Sequence, residues 1–236
     1  MAIALTLLGV ATIALALRAG LVPDPVARLF PLDLSLRTQS MQDWRISALT
    51  GDRELCEQVL AVPGVSTKAV DDRTGENGCG WANARRLDSI AEVRIGAEPL
   101  TCPATAALAL WLTHVVQPAA QSLLGQGVRK LTTLGTYSCR GMIGDRTSER
   151  MKKLGLRPPL SEHAHANAID VAAFVLEDGS SVTVLTDWDG DSAKARFLRT
   201  IHDGACRYFH VTLGPAANAE HRNHFHLDRG LWHACR

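Results

Sequence analysis

Two short stretches of this 236-residue chain hold the residue types that bind metal ions and move protons: SEHAHANAID (Ser161 to Asp170) and HRNHFHLD (His221 to Asp228). Together they carry five of the nine histidines. In a strand, residues two apart project to the same side. His224 and His226 therefore share one face of HFHLD, while Phe225 and Leu227 turn to the core. Asp170 sits in AIDVAAFVL between the apolar Ile169 and Val171. A carboxylate in a strand otherwise built for burial is costly unless it is paired or bound to a metal. The small residues of AHANA let the chain turn back and bring His163 beside Asp170. Imidazole nitrogens with one carboxylate oxygen are the donor set of a catalytic zinc site, with three protein ligands at about 2.0–2.2 Å and a fourth position for water. The expected ligands are His163, Asp170 and His226, holding one Zn2+ ion, although other divalent ions suit the same donors. His224 then lies near the water, as general base or as a stabiliser of the developing oxyanion. His165 reads as a loop bystander, and Asp228 as a solvated strand end more readily than as an outer partner of the site.

The elements that must position these residues are readable in outline. DRELCEQVLA (52–61) predicts a short helix capped by Asp52, and DDRTGENGCG (71–80) a loop. TCPATAALALWLTHVVQPAAQSLLG (101–125) is the strongest helical stretch, with Pro103 in its first turn, a break or kink at Pro118 and an end at Gly125. VRKLTTLGTYSCR (128–140) predicts a strand ending at Arg140. Asp178-Gly179 marks a hairpin between AIDVAAFVL and SVTVL. DSAKARFLRTIHDGAC (191–206) predicts a helix capped by Asp191 and terminated near Gly204. The pattern is a helical first half followed by a sheet. The expected fold is α+β: a small, mostly antiparallel sheet carrying the zinc site, flanked by helices and stabilised by disulfides.

Composition narrows the partners. The formal net charge is +1 and aromatics are 5% of residues, so no basic, aromatic-laced surface is available for nucleic acid. AIALTLLGVATIALAL (2–17) carries no charge. Sixteen helical residues cover about 24 Å, and extension through 22 approaches the roughly 30 Å hydrocarbon core. Residues 1–18 are read as an export signal or inner-membrane anchor, anchored through 2–22 and uncleaved, with secretion after cleavage as the alternative. The proline-bearing residues 19–45 read as a linker, and 46–236 as the catalytic domain. The six cysteines, Cys56, Cys79, Cys102, Cys139, Cys206 and Cys235, form no CxxC pair and read as three disulfides in an oxidising compartment such as the periplasm. Cys56 to Cys79 would close a local loop.

These motifs resemble those of the zinc peptidases that cut peptidoglycan, whose pattern is S-x-H-x-x-G-x-A-x-D followed by H-x-H or E-x-x-H. GTYSCR, SEHAHANAIDVAAF, HDGAC, LGP, HRNHFHLD and the terminal CR resemble more closely the bacterial extensin-like C-terminal domain family, over roughly 50–236. The resemblance implies His163, Asp170 and His226 as zinc ligands and His224 in the catalytic role of H-x-H. It also implies His221 as a substrate-side or outer residue, Arg140 polarising the scissile carbonyl or binding a stem-peptide carboxylate, and Ser161 as a hydrogen-bonding partner of substrate. Two positions depart from the pattern. Ala166 stands where the broader pattern has Gly, and Asn223 where the E-x-x-H branch has Glu.

The function expected from this reading is zinc-dependent hydrolysis of peptide bonds in peptidoglycan stem peptides, by an endopeptidase before a carboxypeptidase, with the metal-bound water as nucleophile. A non-catalytic envelope protein that binds peptidoglycan around a structural metal is the rival. An amidase acting on the sugar–peptide link is a third reading.

Overall fold

The structure, a computed structural model, describes residues 6, 9–13, 15, 25–96, 98–143 and 146–236. Most of the expected membrane segment 2–22 lies outside them, and no helix among the described residues is long and apolar enough to cross a membrane.

The described chain runs through helices α1 (Pro25–Leu29), α2 (Gln42–Ser47) and α3 (Arg53–Leu60). Strands β1 (Val65–Ala69), β2 (Arg73–Thr74), β3 (Gly80–Trp81), β4 (Ala84–Ile90), β5 (Val93–Arg94) and β6 (Pro99–Thr101) follow. Then come α4 (Cys102–Trp111), a π-helical turn (Leu112–Val116), α5 (Gln117–Leu124), β7 (Val128–Gly135) and α6 (Arg146–Lys153). The last part holds β8 (Ala168–Leu176), β9 (Ser181–Thr183), α7 (Val184–Asp187), α8 (Ala193–Ala205), β10 (Val211–Leu213), β11 (Phe225–Asp228) and β12 (Ala234–Cys235).

Ten strands make one sheet in the order β1-β4-β5-β7-β8-β11-β10-β12, with β6 on β4 and β9 on β8. Strands β2 and β3 form a separate ribbon inside the segment read as a loop. The main sheet is antiparallel except at β5–β7 and β10–β12. It is larger than the small sheet expected, and the first half is not simply helical, because β1 and β4–β6 belong to it. The sequence of β1, VSTKA, shows why this was hidden. Its residues are half-buried or exposed throughout, so it lacks the apolar alternation that marks a strand.

The long helical stretch forms where expected, ending at Gly125 in the left-handed conformation (φ 72°). Pro118 does not break it. The five residues before Gln117 widen into a π turn, a local adjustment of the kind that accommodates an interrupted i→i−4 ladder. Trp111 is fully buried here, and its indole N–H donates to the Ile201 carbonyl of α8 at 2.8 Å. Phe174 of β8 meets Trp111 and Phe197 edge-on, and Phe225 of β11 lies against Phe174. The helices thus cover one face of the central strands.

A slip in strand pairing lets β8 serve both this core and the candidate site. Thr132 of β7 pairs with Ala173, but Thr133 pairs with Val171. Ala172 is therefore an extra residue, a bulge that reverses the alternation. Phe174 faces the core above it, while Ile169 and Val171 face the core below it, leaving Asp170 on the other side.

One helix cap differs from expectation. Asp52 caps α3 as expected, accepting from the Leu55 N–H at 3.0 Å. The cap of α8 is Ser192, whose hydroxyl accepts from the Ala195 N–H at 3.0 Å, rather than Asp191. Helix α8 ends at Ala205, beside Gly204, as expected of that glycine. The glycine's lack of a side chain serves packing, since a Cβ there would stand 2.4 Å from Val115 Cγ1 of the π turn.

Part of the stretch read as a linker lies on the core. Ala27, Leu32 and Leu34 are buried, and the Tyr208 hydroxyl donates to the Arg37 carbonyl. Three disulfides are present: Cys56–Cys102, Cys79–Cys139 and Cys206–Cys235. The local Cys56–Cys79 loop is not formed, because Cys56 on α3 meets Cys102 at the start of α4. Each bridge closes a chain separation of 29 to 60 residues, which favours the folded state by restricting the unfolded chain.

Gly204 gives a direct test of this packing. Alanine normally stabilises a helix interior relative to glycine. Here Gly204→Ala is expected to lower unfolding free energy by about 1–3 kcal/mol through overpacking, read as a lower urea midpoint with an unchanged slope.

Candidate metal centre

The site begins with a strand pair. In the antiparallel β8–β11 ladder His226 lies directly opposite Asp170, and Phe225 opposite Val171. The apolar pair faces the core, so the polar pair faces away from it together. His163 arrives from a 3-10 turn, Glu162–His165. Ser161 caps that turn, its buried hydroxyl accepting from the His163 N–H at 3.3 Å. The His163 carbonyl accepts from the Ser138 N–H at 3.0 Å. Ala166 closes the turn at φ 51°, the left-handed region that favours glycine. Alanine there holds a glycine-type backbone.

Three donor atoms now meet. His163 Nε2 is 3.1 Å from His226 Nδ1 and 3.2 Å from Asp170 Oδ1, and His226 Nδ1 is 3.0 Å from the same oxygen. Ligands about 2.0–2.1 Å from a tetrahedral zinc are separated by about 3.3–3.4 Å, so the triangle is already close to the size the ion needs. The far side of each ring decides what the near side offers. His163 Nδ1 faces the Thr136 carbonyl at 3.2 Å and must donate to it, which leaves a lone pair on Nε2. His226 Nε2 faces Asp228 Oδ2 at 2.8 Å and donates to it, which leaves Nδ1 as the inward atom. Two nitrogen lone pairs and a carboxylate oxygen on one point require a cation between them, either a proton or a metal ion. Among the described residues this is the group of three His, Cys, Asp or Glu side chains whose donors converge in this way. The residues fit zinc.

The electrostatics say the same. Burial disfavours the charged form of Asp170, but its close contacts with His163 and His226 outweigh it and hold its carboxyl far below the usual range. Burial likewise opposes charge on His226, yet its bonds to Asp170 and Asp228 raise its pKa to about 9. Without metal, a proton on His226 is the cation that the cluster demands. The side chains of Asp170 and His226 remain 13% and 12% exposed, so the centre is reachable from outside.

His224 borders the cluster with Nε2 3.6 Å from Asp170 Oδ1. Its Nδ1 faces the Asn223 amide oxygen at 2.9 Å and donates to it. The inward Nε2 is therefore an unprotonated acceptor, and burial, followed by the positive charges of His226 and Arg140, lowers its pKa despite Asp170. His221 packs beside His224 and His226, with ring centroids 5.3 and 5.7 Å away. Its Nδ1 lies 2.7 Å from the Asn218 side-chain oxygen, and burial with the charge of His226 depresses its pKa to about 4. Arg140 stands near enough to act electrostatically on both rings. Its backbone carbonyl accepts from the Ser161 N–H, and the Cys79–Cys139 bridge fixes the neighbouring residue to the end of the β2–β3 ribbon.

The structure thus brings together His163, Asp170, His226, His224, His221 and Arg140. Ser161 is different. It is buried, and its hydroxyl caps the turn that carries His163. Asp228 and Asn223 gain importance. Asp228 is buried and fixes the His226 tautomer, and outer partners of this kind orient metal ligands. Asn223, met in the sequence only as a missing glutamate, aims His224. In the sequence the spacing His226-x-Asp228, two residues apart on one strand face, was the available signal for the first. Nothing comparable marked the second.

A raised His226 pKa fixes the sign of two pH effects. In the metal-free protein its contribution to stability is complete below the unfolded value of about 6.5 and is lost as pH rises through about 9, whereas the Asp170 contribution is lost on acidification. Zinc must displace the His226 proton. Its apparent affinity should therefore climb about tenfold per pH unit between about 7 and 9, with one proton released per ion bound. Titration in weakly buffered solution measures that release, and none is expected from His226→Ala.

No curated protein and no solved structure matches the chain. The family described as Extensin-like protein C-terminus matches residues 54–236, a stretch that contains every residue of the cluster. The chain belongs to the extensin-like C-terminal family.

Proposed function

We propose that this protein is a zinc-dependent hydrolase of peptidoglycan, an endopeptidase on stem-peptide bonds, held at the periplasmic face of the inner membrane by its N-terminal segment. The observation that carries the reading is the convergence of His163 Nε2, Asp170 Oδ1 and His226 Nδ1 beside a fourth group, His224, whose inward nitrogen is an acceptor. A zinc ion on these donors supplies Lewis-acid polarisation of a carbonyl and a water acidic enough to lose a proton near neutral pH. The remaining work falls to the chain. His224 Nε2, lowered in pKa and aimed by Asn223, accepts the proton as the nucleophile attacks and returns it to the leaving amine. The Arg140 guanidinium offers fixed positive charge to the oxygen on which negative charge develops. His226 and His163 are held in single tautomers by Asp228 and the Thr136 carbonyl, so no ring has to rotate during turnover. The choice of peptidoglycan is supported by the resemblance of the two histidine motifs to the murein peptidases and by three disulfides suited to an oxidising compartment.

Digestion of purified sacculi tests the reading. The wild type should release new muropeptides whose masses place the break between amino acids. His224→Ala should keep one zinc per chain and lose about 10²–10⁴-fold in rate, whereas His226→Ala should lose both metal and activity. Bound zinc with no new muropeptides would leave a non-catalytic binder, and a break at the sugar–peptide bond would make the enzyme an amidase.

Asn223→Ala separates aiming from chemistry. It should lower turnover by about tenfold or more, through the lost hydrogen bond to His224, with zinc affinity unchanged and the pH profile shifted.

A further inference from the structure

The turn that presents His163 to the metal centre presents two other side chains to a different place. Glu162 and His165 line a cleft of about 890 Å³ that includes none of the six residues gathered at the centre. That volume is ordinary for a small-molecule site. His165 is half-buried there and has no hydrogen-bond partner among the described residues.

The lining selects the ligand. Trp81 is braced edge-on by Tyr137, with ring centroids 4.9 Å apart, and the Arg73 guanidinium lies over both rings at 5.2 and 5.1 Å. The Trp81 N–H is already donated to the Asp71 carbonyl, so what the indole has left to offer is its apolar surface. A hydrogen-bonded chain forms part of the lining: Thr101 donates to Asn167 Oδ1, and Asn167 Nδ2 donates to Glu162 Oε2, each at 2.7 Å. A Cβ on Gly230 would come within 2.6 Å of Glu162 Oε1, so glycine is what allows the carboxylate to sit there.

Other ligand classes fit poorly. Most of the charges are paired, Asp43 with Arg229 and His210 and Asp72 with Arg53, and the two that are not, Arg73 and Glu162, are opposite in sign. Among the described residues no unmatched cluster of one sign is left to draw a phosphate or a metal ion. His210 has both ring nitrogens committed, to the Gly230 carbonyl and to Asp43. A rigid aromatic surface beside mixed hydroxyl, amide, imidazole and carboxylate groups matches a molecule with apolar ring faces and many hydroxyls.

We propose that this cleft is a saccharide-binding site, taking a short uncharged stretch of glycan on the far side of the His163 turn from the metal centre. The choice of an N-acetylated sugar rests on the peptidoglycan reading. The cleft itself does not need the metal.

The test uses the full chain, stripped of metal by chelation, titrated calorimetrically with the β-1,4-linked tetrasaccharide of N-acetylglucosamine. Saturable binding is expected, unchanged in His226→Ala, weakened about tenfold or more in Trp81→Ala through lost stacking, and recovered in large part by Trp81→Phe. His165→Ala should weaken it several-fold with the melting temperature unaltered. No saturable binding by the wild type, or affinity untouched by both Trp81→Ala and His165→Ala, overturns the proposal. So does a free stem tetrapeptide that binds the cleft in place of the sugar. Because no metal is present, failure here leaves the hydrolase reading standing, and failure of sacculus cleavage leaves this one standing.

Discussion

Three electron-pair donors aimed at one point is the constraint on which the rest of this structure turns. Two imidazole nitrogens and a carboxylate oxygen approach to 3.0–3.2 Å. Such an arrangement repels itself unless a cation lies within it. The fold nevertheless holds the donors there, by hydrogen bonds on the outer side of each ring that fix which nitrogen faces inward. The positioning is done before any ligand arrives, which is the condition for a tight and selective metal site.

That requirement explains much of the architecture around it. The β8–β11 ladder sets His226 against Asp170, and its apolar residues lock the register, since a slip of one residue would turn Phe225 and Leu227 out of the core. The bulge at Ala172 lets one strand feed the core at Phe174 and the centre at Asp170. The turn carrying His163 is hydrogen-bonded to the segment leading to Arg140 and packs against β3, and the Cys79–Cys139 bridge joins that segment to the β2–β3 ribbon. The helices supply the opposite face, with Trp111 as the central buried contact.

How much of this could be read from the amino acids depended on how local the determining physics was. The shared face of His224 and His226, the isolated carboxylate of Asp170, the Asp178-Gly179 hairpin and the Asp52 cap are all decided by residues within a few positions of each other. The hairpin, the cap and the outward carboxylate formed as expected, and His224 joins His226 beside Asp170 although the strand begins only at Phe225. The disulfide partners, the number of strands in the sheet and the burial of Leu32 and Leu34 depend on contacts tens of residues apart, and composition does not encode them. The same holds for Asp228 and Asn223, whose importance appears only once their partners are known. Gly204 and Pro118 gave local signals that were kept, with α8 ending at Ala205 and a π turn lying just before Pro118, while the close helix contact at Gly204 was not readable locally.

The central claim is that His163, Asp170 and His226 are the ligands of one metal ion, and anomalous diffraction above the zinc edge from crystals grown with equimolar zinc tests it most directly. A single strong peak is expected about 2.0–2.2 Å from His163 Nε2, Asp170 Oδ1 and His226 Nδ1, with the Asp228–His226 hydrogen bond intact. No peak at that point, or a peak held by other side chains while these three keep their mutual contacts, would contradict it.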